Sequence, residues 1–139
     1  SDLNAALIEE VSSMQKDWCE WRDCESSELL SAENRVVERL LGAWHRLRNV
    51  TGGALFVDGK GAAFCLAEFF SSDTLIIHAE KGFPEYTGVY QAMNQMFLAA
   101  HQGFSLVNRQ QDLGEEGLRK AKLSYHPADF IRKYRVRFI

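Results

Sequence analysis

Long apolar runs are missing from this sequence. Nothing approaches the roughly 18 consecutive apolar residues of a membrane-spanning helix, so no transmembrane segment is expected. A basic segment followed by an apolar stretch is absent from the first residues, so no secretory signal is expected either. Cysteine is sparse: three in 139 residues, Cys19, Cys24 and Cys65. An odd number outside any framework points to a reducing, cytoplasmic setting. Cys19 and Cys24 have no second pair at ligand spacing, and His45, His78, His101 and His126 are scattered, so zinc is not expected. Cys65 lies in an apolar run and reads as a small core residue. The first residue is Ser, not Met, and a segment upstream is expected to be missing.

What is present is ordinary for a globular domain: 46% hydrophobic and 25% charged residues. A length of 139 suits one domain burying about two-thirds of its unfolded surface. The net charge of −3 hides an asymmetry. Residues 1–30 carry eight acids against two bases, whereas residues 109–137 carry eight bases against four acids. The basic end suits phosphate or a membrane surface, or it pairs with the acidic end or lies on a solvated face.

Leu7, Val11, Met14, Trp18 and Trp21 recur at helical spacing and define one stripe, too short for a coiled coil. Residues 19–31 read as a loop, with Ser31 capping a second helix whose buried side is Val36, Val37, Leu40, Leu41, Trp44 and Leu47. Gly52-Gly53 ends that pattern. Asp58-Gly59 then marks a tight hairpin turn between two strands, and a third strand, TLIIHAE, follows Ser71-Ser72-Asp73. Strict alternation puts Ile76, His78 and Glu80 on one face of it and Leu75, Ile77 and Ala79 on the other. After GFPEYTG come a helix over 89–101 ended by Gly103, a short strand FSLV, a further helix, and a final strand RVRFI. The order helix, helix, three strands, helix, strand, helix is that of the Gcn5-related N-acyltransferase fold. The expected class is α+β, a mixed, mostly antiparallel sheet flanked by helices in an α/β sandwich.

The segments GGALFVDGK, DTLIIHAEK, EYTGVYQAMNQMF and VNRQQDLGEEGLRKAKLSYHP, with Glu68 ending the second strand and WCEWRDCESSELLSAENR upstream, carry a resemblance. Together they resemble a bacterial family related to the C-terminal domain of phosphatidylglycerol lysyltransferase, much of it a domain of unknown function. The resemblance implies residues 1–139 as a single acyltransferase-like domain, the second module of a longer two-module protein. It implies aminoacyl transfer from aminoacyl-tRNA to a lipid or peptidoglycan amine or hydroxyl. The expected partners are the missing N-terminal module and either tRNA or a phospholipid head group; exposure of the Trp18–Trp21 stripe would add a homodimer.

Acetyltransferases of this fold carry Arg/Gln-x-x-Gly-x-Gly/Ala before the third helix, where backbone amides hold pyrophosphate. Here that stretch is Tyr86-Thr87-Gly88-Val89-Tyr90, without the arginine and with a bulky Tyr90 where phosphate would approach. No cofactor is expected, acetyl-CoA included. Gly88 reads equally as a helix-start glycine, and Tyr90 as a packed aromatic or a ligand contact, with Asn94 one turn on. Asn108 and Arg109 lie at a strand end, where α/β sheets present ligand contacts. Asp112-Leu113-Gly114 turns into a helix that presents Arg119, Lys120 and Lys122, with His126 on the Lys122 face if the helix reaches it and Pro127 limiting it. Asn108, Arg109, Arg119, Lys120 and Lys122 with Tyr90 and Asn94 are the candidate phosphate or substrate contacts. For acid–base work the candidates are Glu80, Tyr125 and His126, with His78 either a fourth or a satisfied sheet residue. A non-catalytic binding or scaffold module, its chemistry held by a partner domain, is the rival reading.

Overall fold

Asn4 opens the first helix, its side-chain oxygen accepting the Leu7 N–H at 2.9 Å. Helix α1 runs Ala5–Arg22 and buries Val11, Met14, Gln15 and Trp18. Trp21 falls off that stripe and is 52% exposed, edge-on to Trp18. The structure, a computed structural model, describes residues 4–110 and 116–138. It comprises two units, residues 1–108 and 109–139.

The expected loop over 19–31 is shorter. Helix α1 continues through Cys19 to Arg22, Asp23 takes a left-handed conformation (φ 53°), and α2 (Glu28–Ala43) is capped by Ser27, not Ser31. Ser27 Oγ accepts the Leu30 N–H at 3.3 Å. The reversal at Asp23 brings Cys19 and Cys24 together as a disulfide, with Cα atoms 5.0 Å apart. Nothing in their spacing announces the pairing; Cys65 lies outside the disulfide and is buried, as expected. On α2 and the turn after it, Val37, Leu41 and Trp44 are buried, but Val36 and Leu47 are 64% and 40% exposed. The apolar stripe is narrower than the sequence suggests.

Strands β1 (Val50–Val57), β2 (Lys60–Phe69), β3 (Thr74–Gly82) and β4 (Leu106–Asn108) form one sheet in the order β1-β2-β3-β4. The first three pair antiparallel, and β4 lies parallel to β3. The tight turn is as expected, with φ positive at both Asp58 and Gly59. At the next turn the Asp73 carboxylate accepts Ser71 Oγ at 2.7 Å and Thr74 Oγ1 at 2.9 Å. These bonds, Ser71 first, hold it below the usual carboxylate range.

Strand β2 is covered on both faces and supplies the middle of the core. Phe64 and Leu66 pack with Ala79 under α1 and α2; Ala63, Cys65 and Ala67 pack with Leu75 and Ile77 under α3 (Val89–Ala100). Phe64 and Leu66 are fully buried, worth about 2–3 kcal/mol each against exposure.

Strict alternation along β3 fails at one residue. Leu66 pairs with Ala79 but the next residue, Ala67, pairs with Ile77, so His78 is an extra residue in a β-bulge. Leu75 and Ile77 therefore face α3, while Ala79 faces α1 and α2. Ile76 and Glu80, expected on one face, lie on opposite faces: Ile76 pairs with Glu68, and Glu80 with Cys65 of the α3 cluster.

In the second unit α4 spans Glu116–Leu123, and residues 128–138 have no regular structure and are exposed. The expected strand RVRFI does not form over its described residues 135–138; a strand needs a ladder partner, and none pairs with it among the described residues. The expected cap at Asp112-Leu113-Gly114 lies outside the described residues.

Candidate functional site

Three elements of the first unit, β3, α3 and β4, carry sequence-nominated residues. Strand β3 holds His78 and Glu80. The β3–β4 ladder covers only Thr74↔Leu106, Leu75↔Val107 and Ile76↔Asn108, so both lie beyond the last pair with β4, which Asn108 closes. Glu80 is half-buried and its Oε1 is shielded from solvent. His78 Nε2 meets Glu68 Oε2 at 2.7 Å, with side chains 31% and 39% exposed. Sequence reasoning named Glu68 only as an acidic strand end. The signal for the pair is the hairpin register, and the bulge disguises it.

Helix α3 holds Tyr90 and Asn94. Gly82 buries itself against this helix: a Cβ there would stand 2.6 Å from Val89 Cγ1 and 3.2 Å from Tyr90 Cε2. The Tyr90 hydroxyl donates to the Gly82 carbonyl at 3.4 Å, so its ring packs on the strand end. Asn94 is half-buried, and its Oδ1 has no hydrogen-bond partner among the described residues.

The start of α3 is where a coenzyme A pyrophosphate would be held in this fold. Gly88 is left-handed (φ 76°) with open space around it, which suits a close approach. The Val89 N–H, however, is already given to the Tyr86 carbonyl at 3.2 Å. Residues 83–88 supply no cation, and Glu85 adds a carboxylate. The residues present do not fit that group.

In the second unit, Arg109, Lys122 and Tyr125 come together. The Arg109 guanidinium stacks 4.2 Å from the Tyr125 ring centroid, and the Lys122 ammonium donates to the Arg109 carbonyl at 2.6 Å and the Gln110 carbonyl at 3.1 Å. Arg119 and Lys120 are exposed on α4. The helix stops at Leu123, so His126 does not share the Lys122 face; it sits past the end, left-handed (φ 53°) before Pro127.

Sequence reasoning missed a second polar group in the first unit. The Lys81 ammonium, in a side chain 9% exposed, lies 4.1 Å from the Trp18 ring centroid and 2.8 Å from Glu33 Oε2. The phase shift at His78 turns Lys81 inward, and no sequence pattern marks that shift. Among the described residues no group of three or more His, Cys, Asp or Glu could hold a metal ion. No helix among them is long and apolar enough to cross a membrane.

Comparison with known proteins places this geometry. A conserved protein of unknown function from Bacteroides thetaiotaomicron VPI-5482 is 33% identical with a TM-score of 0.86. The match covers 93% of this chain but 44% of that one, so this chain spans less than half of its relative. A ribosomal-protein-alanine N-acetyltransferase from Brucella melitensis biovar Abortus 2308 matches at a TM-score of 0.62 and 14% identity, over 94% of this chain and 93% of that one. A possible acetyltransferase from Clostridium difficile 630 matches at 0.64 and 14%, over 95% and 93%. These two show the fold, that of the Gcn5-related acetyltransferases. No curated protein sequence matches. The family model for the C-terminal part of phosphatidylglycerol lysyltransferase matches residues 1–137, and the chain belongs to that family as an acyltransferase-like domain.

Proposed function

We propose that this domain transfers an aminoacyl group from aminoacyl-tRNA to an amine or lipid acceptor, as one module of a longer protein. The observation that carries this reading is the strand geometry. A parallel pair, β3 and β4, separates after three residue pairs and leaves polar residues of β3 beyond the separation. Ligands of α/β sheets bind outside strand ends where the topology changes. The poor fit of the α3 start to pyrophosphate favours an aminoacyl ester over a coenzyme A thioester. Arg119 and Lys120, with Arg109 and Asn108, are the proposed phosphate contacts; Tyr90 and Asn94 are proposed to line the substrate. Glu80 and His78 are the proposed acid–base groups on β3, and in the second unit Tyr125 or His126 is proposed as a proton donor. The partners in this reading are an N-terminal module and tRNA or a phospholipid head group, in the cytoplasm, where aminoacyl-tRNA is made.

One observation favours a scaffold role for part of the set. Lys122 is committed to the Arg109 and Gln110 carbonyls, so it organises its own unit.

The test is tRNA binding against acetyl-CoA binding. We expect salt-sensitive tRNA binding whose log–log salt slope falls by about 1–2 in Arg119→Ala/Lys120→Ala, at about 0.7–0.9 per lost phosphate contact. Acetyl-CoA binding with no tRNA binding would reverse the choice of donor. Binding of neither would leave the scaffold reading.

A further inference from the structure

We propose that the His78–Glu68 pair, and not Glu80, accepts the proton of the attacking amine, an inference that rests on the acyl-transfer reading above. Three observations converge on it. His78 is the extra residue of the β-bulge, and bulges re-aim a side chain against the alternation of its strand. It lies two residues past the last β3–β4 pair, Ile76↔Asn108, where the parallel strands stop pairing. Its Nε2 is 2.7 Å from Glu68 Oε2, and both side chains remain about a third exposed.

The proton positions follow from the chemistry. A carboxylate only accepts, so the imidazole donates from Nε2, and the neutral ring is left with Nδ1 as its basic nitrogen. A carboxylate that orients a histidine and stabilises the imidazolium is the arrangement used for general-base work in unrelated hydrolases. The negative carboxylate also draws a cationic amine to this face and disfavours an anionic acceptor. Glu80 lies on the α3 face with one oxygen shielded from solvent.

The step balances as follows. The acceptor ammonium first gives one proton to solvent; the neutral amine nitrogen then adds to the aminoacyl ester carbonyl and the C–N bond forms. The proton made acidic on that nitrogen passes to His78 Nδ1, giving an imidazolium beside Glu68. The ester C–O bond to the ribose breaks and the ribose oxygen takes a proton from a general acid that solvent then reprotonates. The imidazolium then returns its proton to solvent.

Lysyl-tRNA as donor and ethanolamine as acceptor test this in the intact chain, since ethanolamine offers both an amine and a hydroxyl. The expected product is the amide. A general base is worth about 10²–10⁴-fold, so His78→Gln should lower kcat about a hundredfold or more with KM for lysyl-tRNA nearly unchanged. Added imidazole should restore part of the activity of His78→Gly, a rescue that a merely structural histidine would not give. Glu68→Gln should lower kcat less, and nitrogen-15 NMR should show the His78 ring losing its fixed Nε2–H form. If wild type turns over while His78→Gln stays within threefold of it, or while Glu80→Gln alone abolishes turnover, the assignment to His78 is wrong and the transfer reading survives. If wild type does not consume lysyl-tRNA at all, the transfer reading fails and this inference with it.

Discussion

Gly82→Ala is the sharpest test of how the start of α3 is held. The new Cβ would stand 2.6 Å from Val89 Cγ1, whereas carbon atoms prefer about 3.5–4.0 Å. Valine has one dominant rotamer in a helix and cannot swing aside, so the first turn of α3 must move by about 1 Å. Overpacking of this kind costs about 1–3 kcal/mol. Gly82 does not have positive φ, so no backbone strain adds to this. The lost chain entropy of alanine in the unfolded state returns about 0.4–1 kcal/mol, leaving a net loss of about 1–2 kcal/mol. Val89→Ala removes two buried methyl groups at about 0.8 kcal/mol each, plus any cavity left behind. In the double variant the methyl introduced at position 82 occupies the vacated space, so the two losses should not add; the coupling should be about 1 kcal/mol or more. Urea unfolding followed by tryptophan fluorescence measures all three. Gly61→Ala is the control, because its Cβ meets Met14 Sδ at 2.7 Å and methionine can repack. Additive losses in the cycle, or a Gly61→Ala loss as large as that of Gly82→Ala, would refute the steric argument.

Other perturbations separate buried from exposed partners. Glu33→Gln strands the enclosed Lys81 ammonium over Trp18 and should cost more stability, by about 1–2 kcal/mol, than Lys81→Met, which leaves a carboxylate that water already reaches (side chains 9% and 41% exposed); paired urea titrations would show the order, and the reverse order would contradict it. Thr51→Val should cost about 1–3 kcal/mol, because His101 Nδ1 donates to the Phe97 carbonyl at 2.7 Å and its Nε2 then loses the Thr51 hydroxyl at 2.8 Å; Thr51→Ser, which keeps the hydroxyl, should recover most of it in the same assay. Asp73 is held below its usual range, so its contribution is present above the ordinary carboxylate pKa of about 3.9 and fades as pH falls through the lower folded value. Ser71→Ala should move the NMR titration midpoint of Asp73 upward, and an unmoved midpoint would show that Ser71 is not the cause.

How much of this was legible in the sequence depends on how local each determinant is. The Asp58-Gly59 turn is fixed by two residues that accept positive φ, and it forms as read. The Val11–Met14–Trp18 stripe follows from helical period alone, and it is buried as read. Trp21 and Val36 show where period fails, because the neighbour decides how wide a stripe is covered. The Cys19–Cys24 bond depends on a left-handed Asp23, a non-glycine conformation that composition does not announce. The basic residues of 109–122 are visible as charges, yet Lys122 spends its ammonium on two backbone carbonyls that only the folded turn brings near.

The bulge at His78 matters most, because strand side chains alternate with a period of two, and one inserted residue exchanges the faces of everything beyond it. Alternation alone makes His78 and Glu80 equal candidates on a common face. The pairing of β2 with β3 separates them: His78 goes to Glu68 at a partly open site, Glu80 goes beside Cys65, and Lys81 goes inward to Trp18 and Glu33. A bulge is a property of two strands, set by which residues of β2 must stay in the core on each side. Phe64 and Leu66 under α1 and α2, and Cys65 and Ala67 under α3, hold β2 in place, so the misfit is absorbed in β3. The same packing that stabilises the sheet therefore chooses which face each titratable group past the end of the β3–β4 ladder takes.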